Sequence, residues 1–214
     1  MALEYFSGFS ASMHTISQSL LYPVLIVLAI FFIYSLLSVG MMLAEYYQRR
    51  KIQLDVKNVA GLILSLSKEN ISDEITAALN DIPISESHRK VLVALSQTKN
   101  ADAAFRESLA LKMIEDETIK VAKKLEKTDI IAKISPAVGL MGTLIPLGPG
   151  LTALGAGDIQ VLADHLITAF DAAVLGMAAA AVAFTVSKIR RRWYEEDISN
   201  LETLAESVLE VLKS

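Results

Sequence analysis

Residues 135–151 read SPAVGLMGTLIPLGPGL, a stretch that contains four glycines, three prolines and no charged residue. Glycine and proline are the least favourable residues in the interior of a helix. Residues 134–157 nevertheless form an uncharged run of 24 residues, and at ~1.5 Å per residue such a helix crosses the ~30 Å hydrocarbon core of a bilayer. The stretch therefore predicts a membrane helix that packs closely against protein, because small residues mark helix–helix contacts in membranes.

Two further apolar runs extend this interpretation to the whole chain. Residues 20–44 carry no charge, and residues 166–187 carry one, at Asp171. The first run is too long for the apolar region of a signal peptide, and no basic residue precedes it, so we expect it to be retained. With 53% hydrophobic residues and a mean hydropathy of +0.44, the chain is more apolar than a soluble domain. The sequence predicts an all-α integral membrane protein with three transmembrane helices.

The basic residues indicate the orientation of the spans. They follow the first span, precede the second and follow the third, at Arg49–Lys51, Lys123–Lys133 and Lys188–Arg192. The first 19 residues and the loop between the second and third spans contain no lysine or arginine. The positive-inside rule then predicts that the N-terminus and this loop lie outside the cell membrane, and that the C-terminus lies in the cytoplasm.

The segments between the spans are predicted to be helical as well. Ser85 can cap one helix, and no glycine or proline interrupts the amphipathic pattern from Ala101 to Ser135, so one helix should lead directly into the second span. The predicted organisation is an outer-face amphipathic helix at 1–19, a first span at 20–44, a cytoplasmic helical domain at 45–133, a second span at 134–157, an outer loop at 158–163, a third span at 164–187 and a cytoplasmic C-terminal helix at 188–214.

Three prolines and three glycines carry the predictions about local geometry. Pro136 lies near the start of the second span, whereas Pro146 and Pro149 lie late in it, where they should break the helix and bend it outward. Gly139, Gly142 and Gly176 should allow the close approach of backbones, and we expect them at contacts between identical subunits.

Asp171 is the intramembrane carboxylate of the third span. A charge there is costly, so such a residue is a hypothesis for a functional site. A hydrogen-bonded structural aspartate near the outer interface is the alternative interpretation.

The sequence gives little support for a soluble enzyme, because the chain has no cysteine and its three histidines lack the spacing of metal ligands. The net charge of −4 and the short basic clusters give no indication of nucleic-acid binding, and we expect neither enzymatic activity nor a cofactor.

Two motifs carry a resemblance to a known family. Residues 136–143, PAVGLMGT, resemble the P-x-x-G-L-x-G-T signature of the MotA/TolQ/ExbB proton channel family. Residues 169–176, AFDAAVLG, are similar to the second signature of that family, usually A-L/F-x-A-T-x-x-G. The single span before the helical insert makes the chain more similar to TolQ and ExbB than to MotA, and the variant GTLIPLGPG resembles archaeal members.

The resemblance implies a homopentamer around a central pore that holds two single-span helices of an ExbD/TolR/MotB-like partner. The ion motive force would then drive mechanical work or transport, with a proton-carrying aspartate on the partner. Thr143 matches the pore threonine of the second span, and Ala173 stands where the family usually has the threonine of the third span. Thr168 stands where TolQ and ExbB members often carry an acid, and the carboxylate here lies one turn later at Asp171.

Two other classes of protein remain as alternatives. A proton-independent pentameric scaffold with a closed pore is one of them, and Ala173 in place of threonine favours it. A small secondary transporter built from interrupted helices is the other, but three spans without an internal repeat count against it.

Overall fold

The computed structural model describes residues 12–51, 55–65, 71–80, 82 and 84–213. Within them the chain is helical and contains no strand, which confirms the all-α prediction for this part of the protein. The helices are α1 (Leu21–Lys51), α2 (Val56–Leu64), α3 (Ile71–Asn80), α4 (Glu86–Ser96), α5 (Ala103–Gly155) and α6 (Ile159–Lys213). Residues 12–19 are also helical, and a turn at Leu20 joins them to α1. The part of the predicted amphipathic helix at residues 1–11 lies outside the described residues.

Among the described residues, three helices are long and apolar enough to cross a membrane. They are the helical stretch Ser12–Arg50, which includes α1, and the two long helices α5 and α6. These helices correspond to the three predicted spans. Helix α5 has 53 residues and α6 has 55, so each continues well beyond the apolar segment that the hydropathy pattern identifies.

The connection between α5 and α6 is shorter than predicted. Only residues 156–158 are non-helical, and Gly157 has a φ of +80°, a left-handed conformation that glycine adopts without strain. The predicted outer loop at 158–163 is therefore wrong, because α6 begins at Ile159. The physical reason is a helix cap, since the carboxylate of Asp158 accepts a hydrogen bond of 3.1 Å from the backbone N–H of Val161.

The chain divides into two compact units. Unit 1 comprises Met1–Met42 and Glu126–Lys188, and unit 2 comprises Leu43–Leu125 and Ile189–Ser214. The divisions fall within α1, α5 and α6, so each of these helices contributes to both units.

Unit 2 has an apolar core that side chains from five helices build. Its fully buried members include Ile63 of α2, Ile75 of α3, Leu92 of α4 and Leu204 of α6, and α5 contributes Ala110. The predicted cap of α4 is confirmed, because the hydroxyl of Ser85 accepts a hydrogen bond from the backbone N–H of His88.

His88 is a titratable group of unit 2 whose pKa the fold shifts. Its imidazole is half-buried, and burial lowers its pKa below the ordinary 6.5 because the charged form is desolvated. The carboxylates of Asp197 and Glu117 oppose this effect, whereas Lys124 and Arg49 add to it. The folded state therefore favours neutral His88.

We predict that acidification destabilises unit 2 through His88. Well above pH 6.5 both folded and unfolded chains carry a neutral imidazole, so His88 adds no pH dependence there. As the pH falls through about 6.5, the unfolded chain takes up the proton first, and stability is lost until the pH passes the lower pKa of the folded state. Melting temperatures in mild detergent between pH 5 and 8 test this, and His88→Gln should decline less below pH 6.5 than the wild type. Identical declines would contradict the prediction.

Candidate functional site

Helices α5 and α6 are in close contact at three glycines of unit 1, Gly139, Gly142 and Gly176. A Cβ atom on Gly176 would lie 2.8 Å from the Cα of Gly139 and 3.0 Å from the carbonyl oxygen of Ser135. A Cβ atom on Gly142 would lie 2.6 Å from the Cβ of Ala172. Only glycine fits at these positions, because a side chain would overlap the facing helix.

These contacts give the three glycines a role within the chain. Gly139, Gly142 and Gly176 are buried where α5 packs against α6, and the expected contact with a neighbouring subunit stays a prediction. The sequence indicates where backbones approach, but the facing helix proves to be the next helix of the same chain.

Helix α1 covers one side of this pair. Val24 and Leu28 pack against Ile145 of α5 and Ala172 of α6. Further along, the buried hydroxyl of Ser35 lies 2.8 Å from the carbonyl oxygen of Phe31 and 3.1 Å from that of Ala179, and it can donate to either. Helix α1 therefore contacts both α5 and α6 and leaves the opposite side of the pair uncovered.

Thr143 and Ala173 lie on the side that α1 does not cover. At ~100° per residue, Thr143 is about 160° from Ile145 around α5, and Ala173 is about 120° from Ala179 around α6. Both residues are half-exposed in the single chain. We refer to this surface, defined by Thr143 and Ala173, as the open flank. The Thr143 hydroxyl donates a bond of 2.7 Å to the carbonyl of Leu140, so its oxygen can still accept a hydrogen bond.

Thr168 does not lie on the open flank. It is five residues from Ala173, about 140° away, and only about 20° from Ala179, which contacts α1. Its hydroxyl donates to the backbone carbonyl of Asp164 at 3.0 Å. The structure thus brings Thr143 and Ala173 to one surface but not Thr168, whose place in an ion pathway stays a prediction.

Asp171 also points away from the open flank. It lies about 160° from Ala173 around α6 and is exposed on the surface of the single chain. Among the described residues its carboxylate has no hydrogen-bonding or ion-pair partner. The alternative interpretation of Asp171 as a hydrogen-bonded structural aspartate therefore finds no partner in this part of the structure, and the role of Asp171 stays a prediction.

The three prolines do not break α5. The helix is continuous from Ala103 to Gly155 and contains Pro136, Pro146 and Pro149, so the predicted break is wrong, while an outward bend of the helix axis stays a prediction. Pro149 lacks an N–H group, which deprives the carbonyl of Ile145 of its helical partner four residues later. The side chain of Gln18 replaces that partner, since its Nε2 donates to the Ile145 oxygen at 2.9 Å.

We predict that Gln18 and Pro149 are energetically coupled. Gln18→Ala should destabilise the protein by about 1 kcal/mol, the net contribution of one hydrogen bond. In a Pro149→Ala background the restored N–H at position 149 can bond the Ile145 carbonyl, so Gln18→Ala should then cost clearly less. Thermal unfolding of the four proteins in mild detergent gives the coupling energy. Equal costs in the two backgrounds would show that this hydrogen bond is not what Gln18 contributes.

Sequence reasoning missed an ion-pair network in unit 2. Glu45 accepts hydrogen bonds from Arg49 at 3.3 Å, from Arg190 at 3.1 Å and from the hydroxyl of Tyr194 at 3.2 Å. Arg49 also binds both carboxylate oxygens of Asp197, one of them at 2.9 Å. We refer to these five residues as the Glu45 network. The positive-inside rule treats Arg49 and Arg190 only as topology signals, whereas the four-residue spacing of Glu45 and Arg49 on one helix indicates a possible ion pair.

Comparison with known proteins identifies the class of this protein. Residues 80–203 match the MotA/TolQ/ExbB proton channel family, and the matched region contains α4, α5 and most of α6. This match covers more than half of the chain, so the chain belongs to the MotA/TolQ/ExbB proton channel family. No curated protein matches it. Together with its three apolar helices, family membership makes it a multi-pass membrane protein with the energy-transducing role of a proton channel family.

Proposed function

We propose that five copies of this chain surround a central pore, with the open flank of α5 and α6 facing that pore. Two single-span helices of an ExbD/TolR/MotB-like partner occupy the pore and carry the titrating carboxylate. Ions that move down the membrane potential, worth about 2.3 kcal/mol per charge per 100 mV, drive movement of the partner and so perform mechanical work or transport. The N-terminus lies outside and the C-terminus in the cytoplasm.

One observation carries this proposal beyond family membership. Thr143, the last residue of the PAVGLMGT motif, lies on the side of the α5–α6 pair that α1 leaves uncovered. A pore wall requires such a surface, since the helices that line a pore cannot be covered there by their own chain. The Thr143 oxygen can accept a hydrogen bond from a protonated carboxyl group or from water.

The proposal is tested on the complex purified through an affinity tag on this chain. Native mass spectrometry should find five copies of the chain and two of a single-span protein. In proteoliposomes, a potassium diffusion potential with valinomycin should drive proton uptake that a pH-sensitive dye reports. Thr143→Ala should lower this flux by about fivefold, the factor for a hydrogen bond of about 1 kcal/mol, without changing the stoichiometry.

The matched control is Thr143→Ser, which keeps the hydroxyl and should retain most of the flux. An assembled complex without any voltage-driven flux of protons or sodium would contradict the proposal and favour the proton-independent scaffold. A monodisperse monomer would contradict the pentamer.

A further inference from the structure

Two consecutive arginines at the end of α1 have different surroundings in unit 2. Arg49 is held by the carboxylates of Glu45 and Asp197 in the Glu45 network. Arg50 is exposed, and among the described residues its side chain has neither a hydrogen bond nor an ion pair. Only Arg50 therefore keeps a guanidinium group that can bind a group outside the chain.

Arg50 lies on a face of α1 together with Leu43 and Tyr47. The three residues have the spacing i, i+4 and i+7, and at ~100° per residue each lies about 140–160° from Glu45, which bonds Arg190 of α6. Leu43 is 46% exposed and Tyr47 is 63% exposed. We refer to Leu43, Tyr47 and Arg50 as the Arg50 face, which the described part of the chain leaves open.

The order of side chains along the Arg50 face matches the parts of a phospholipid. Residues 20–44 are uncharged, so Leu43 lies where the apolar run ends and the headgroup region begins. Tyr47 follows one turn later, and tyrosine is enriched at this level of a membrane. Arg50 follows about one turn after that, and a guanidinium group can bind phosphate oxygens through two parallel hydrogen bonds. An acyl chain, a glycerol group and a phosphate group can thus contact successive residues of one face.

Aromatic contacts connect the Arg50 face to α6. Tyr46 and Tyr47 are edge to face, with ring centroids 5.9 Å apart, and Tyr46 stacks on Trp193 at 6.1 Å. Trp193 is half-buried, and its ring centroid lies 5.5 Å from the Cζ atom of Arg49. Trp193 is the only tryptophan of the chain, so tryptophan fluorescence reports on this surface and on no other.

We propose that the Arg50 face binds an anionic phospholipid, with the lipid phosphate on Arg50 and an acyl chain on Leu43 and Tyr47. Charge complementarity selects an anionic lipid, because a basic side chain near a membrane attracts a negative headgroup, whereas a zwitterionic headgroup carries an ammonium group that offsets this attraction. A free phosphate ion would contact Arg50 but not Leu43, which favours a lipid as the occupant. The inference goes beyond the proposed function and does not depend on it.

Quenching of Trp193 by brominated lipids tests this inference. The full chain is reconstituted into mixed bilayers of phosphatidylglycerol and phosphatidylcholine, and one of the two lipids at a time carries bromine on the upper part of an acyl chain. The dependence of quenching on lipid composition gives the relative binding constant at this surface. We expect a preference of about fivefold for phosphatidylglycerol, the factor for one basic side chain beside an anionic surface. Arg50→Gln should abolish the preference, Arg50→Lys should retain most of it, and added inorganic phosphate should leave the quenching unchanged.

The matched control is Arg192→Gln, which should keep the preference. Arg192 is also exposed, lacks a side-chain partner among the described residues and adjoins Trp193 in the sequence. It lies about 160° around α6 from Tyr194, which bonds Glu45, and so it faces away from α1. Equal losses in Arg192→Gln and Arg50→Gln would indicate a diffuse attraction to the basic segments and overturn the site. An unchanged preference in Arg50→Gln or release of the lipid by inorganic phosphate would also overturn it. Absence of quenching by either lipid would show that another copy of the chain or another protein covers this face, with the same consequence.

Discussion

Replacing Gly176 by alanine is expected to destabilise the protein by about 1–3 kcal/mol, the usual cost of overpacking a close contact. The new Cβ atom would lie 2.8 Å from the Cα of Gly139 and 3.0 Å from the carbonyl oxygen of Ser135. Both are backbone atoms, which cannot move aside without separating α5 from α6. Thermal unfolding in mild detergent, followed by size-exclusion chromatography, measures the effect.

The matched control is Gly40→Ala in α1. Apart from its chain neighbours and the backbone of its own helix, no atom lies within 4 Å of a Cβ atom at Gly40, so the substitution should be neutral or stabilise the helix by up to about 1 kcal/mol. A second test uses Gly142→Ala, whose clash is with the Cβ of Ala172. Ala172→Gly should relieve it in the double variant. If Gly176→Ala melts like the wild type, the close contact of α5 and α6 is not what stabilises the pair.

Substituting glutamine for Glu45 should destabilise unit 2 by about 2 kcal/mol. A single carboxylate accepts hydrogen bonds from Arg49, Arg190 and Tyr194, and its side chain is 21% exposed. Hydrogen bonds to charged groups are worth about 1.5–3 kcal/mol each, and partial exposure reduces what their loss costs. Removing the charge leaves Arg190, with a side chain 14% exposed, without its carboxylate partner.

Glu115→Gln provides the control for a surface ion pair. Glu115 bonds Lys112 at 3.1 Å, but both side chains are more than half exposed. Its loss should change stability by less than about 0.5 kcal/mol. Chemical or thermal unfolding of both variants compares them directly. Equal effects would show that the Glu45 network contributes no more than an ordinary surface pair.

Hydropathy and residue spacing predicted the fold of this chain well. Apolar runs long enough to cross a bilayer identified three helices, and the absence of glycine and proline between Ala101 and Ser135 predicted that one helix leads directly into the second span. Motif residues also identified the family, because PAVGLMGT combines the small residues of a close contact with Thr143 on the adjacent position of the helix. Both predictions depend on local sequence alone.

The partners of these residues could not be predicted in the same way. A glycine indicates that a backbone approaches, but the sequence does not indicate which helix provides it, and Gly139 faces Gly176 of its own chain. Likewise, Pro149 indicates an unpaired carbonyl at Ile145, yet the donor, Gln18, lies 127 residues away in the chain from that carbonyl.

The three-residue connection at 156–158 constrains how the chain can be inserted. Three residues span at most about 11 Å, much less than the ~30 Å hydrocarbon core, so both ends of this link must emerge on one face of the bilayer. Helices α5 and α6 therefore enter as a hairpin with opposite directions. Moving the basic residues from one end of the spans to the other could invert α5 and α6 together, but it could not invert either helix alone. A variant with redistributed basic residues should therefore show both helices inverted in the membrane or neither.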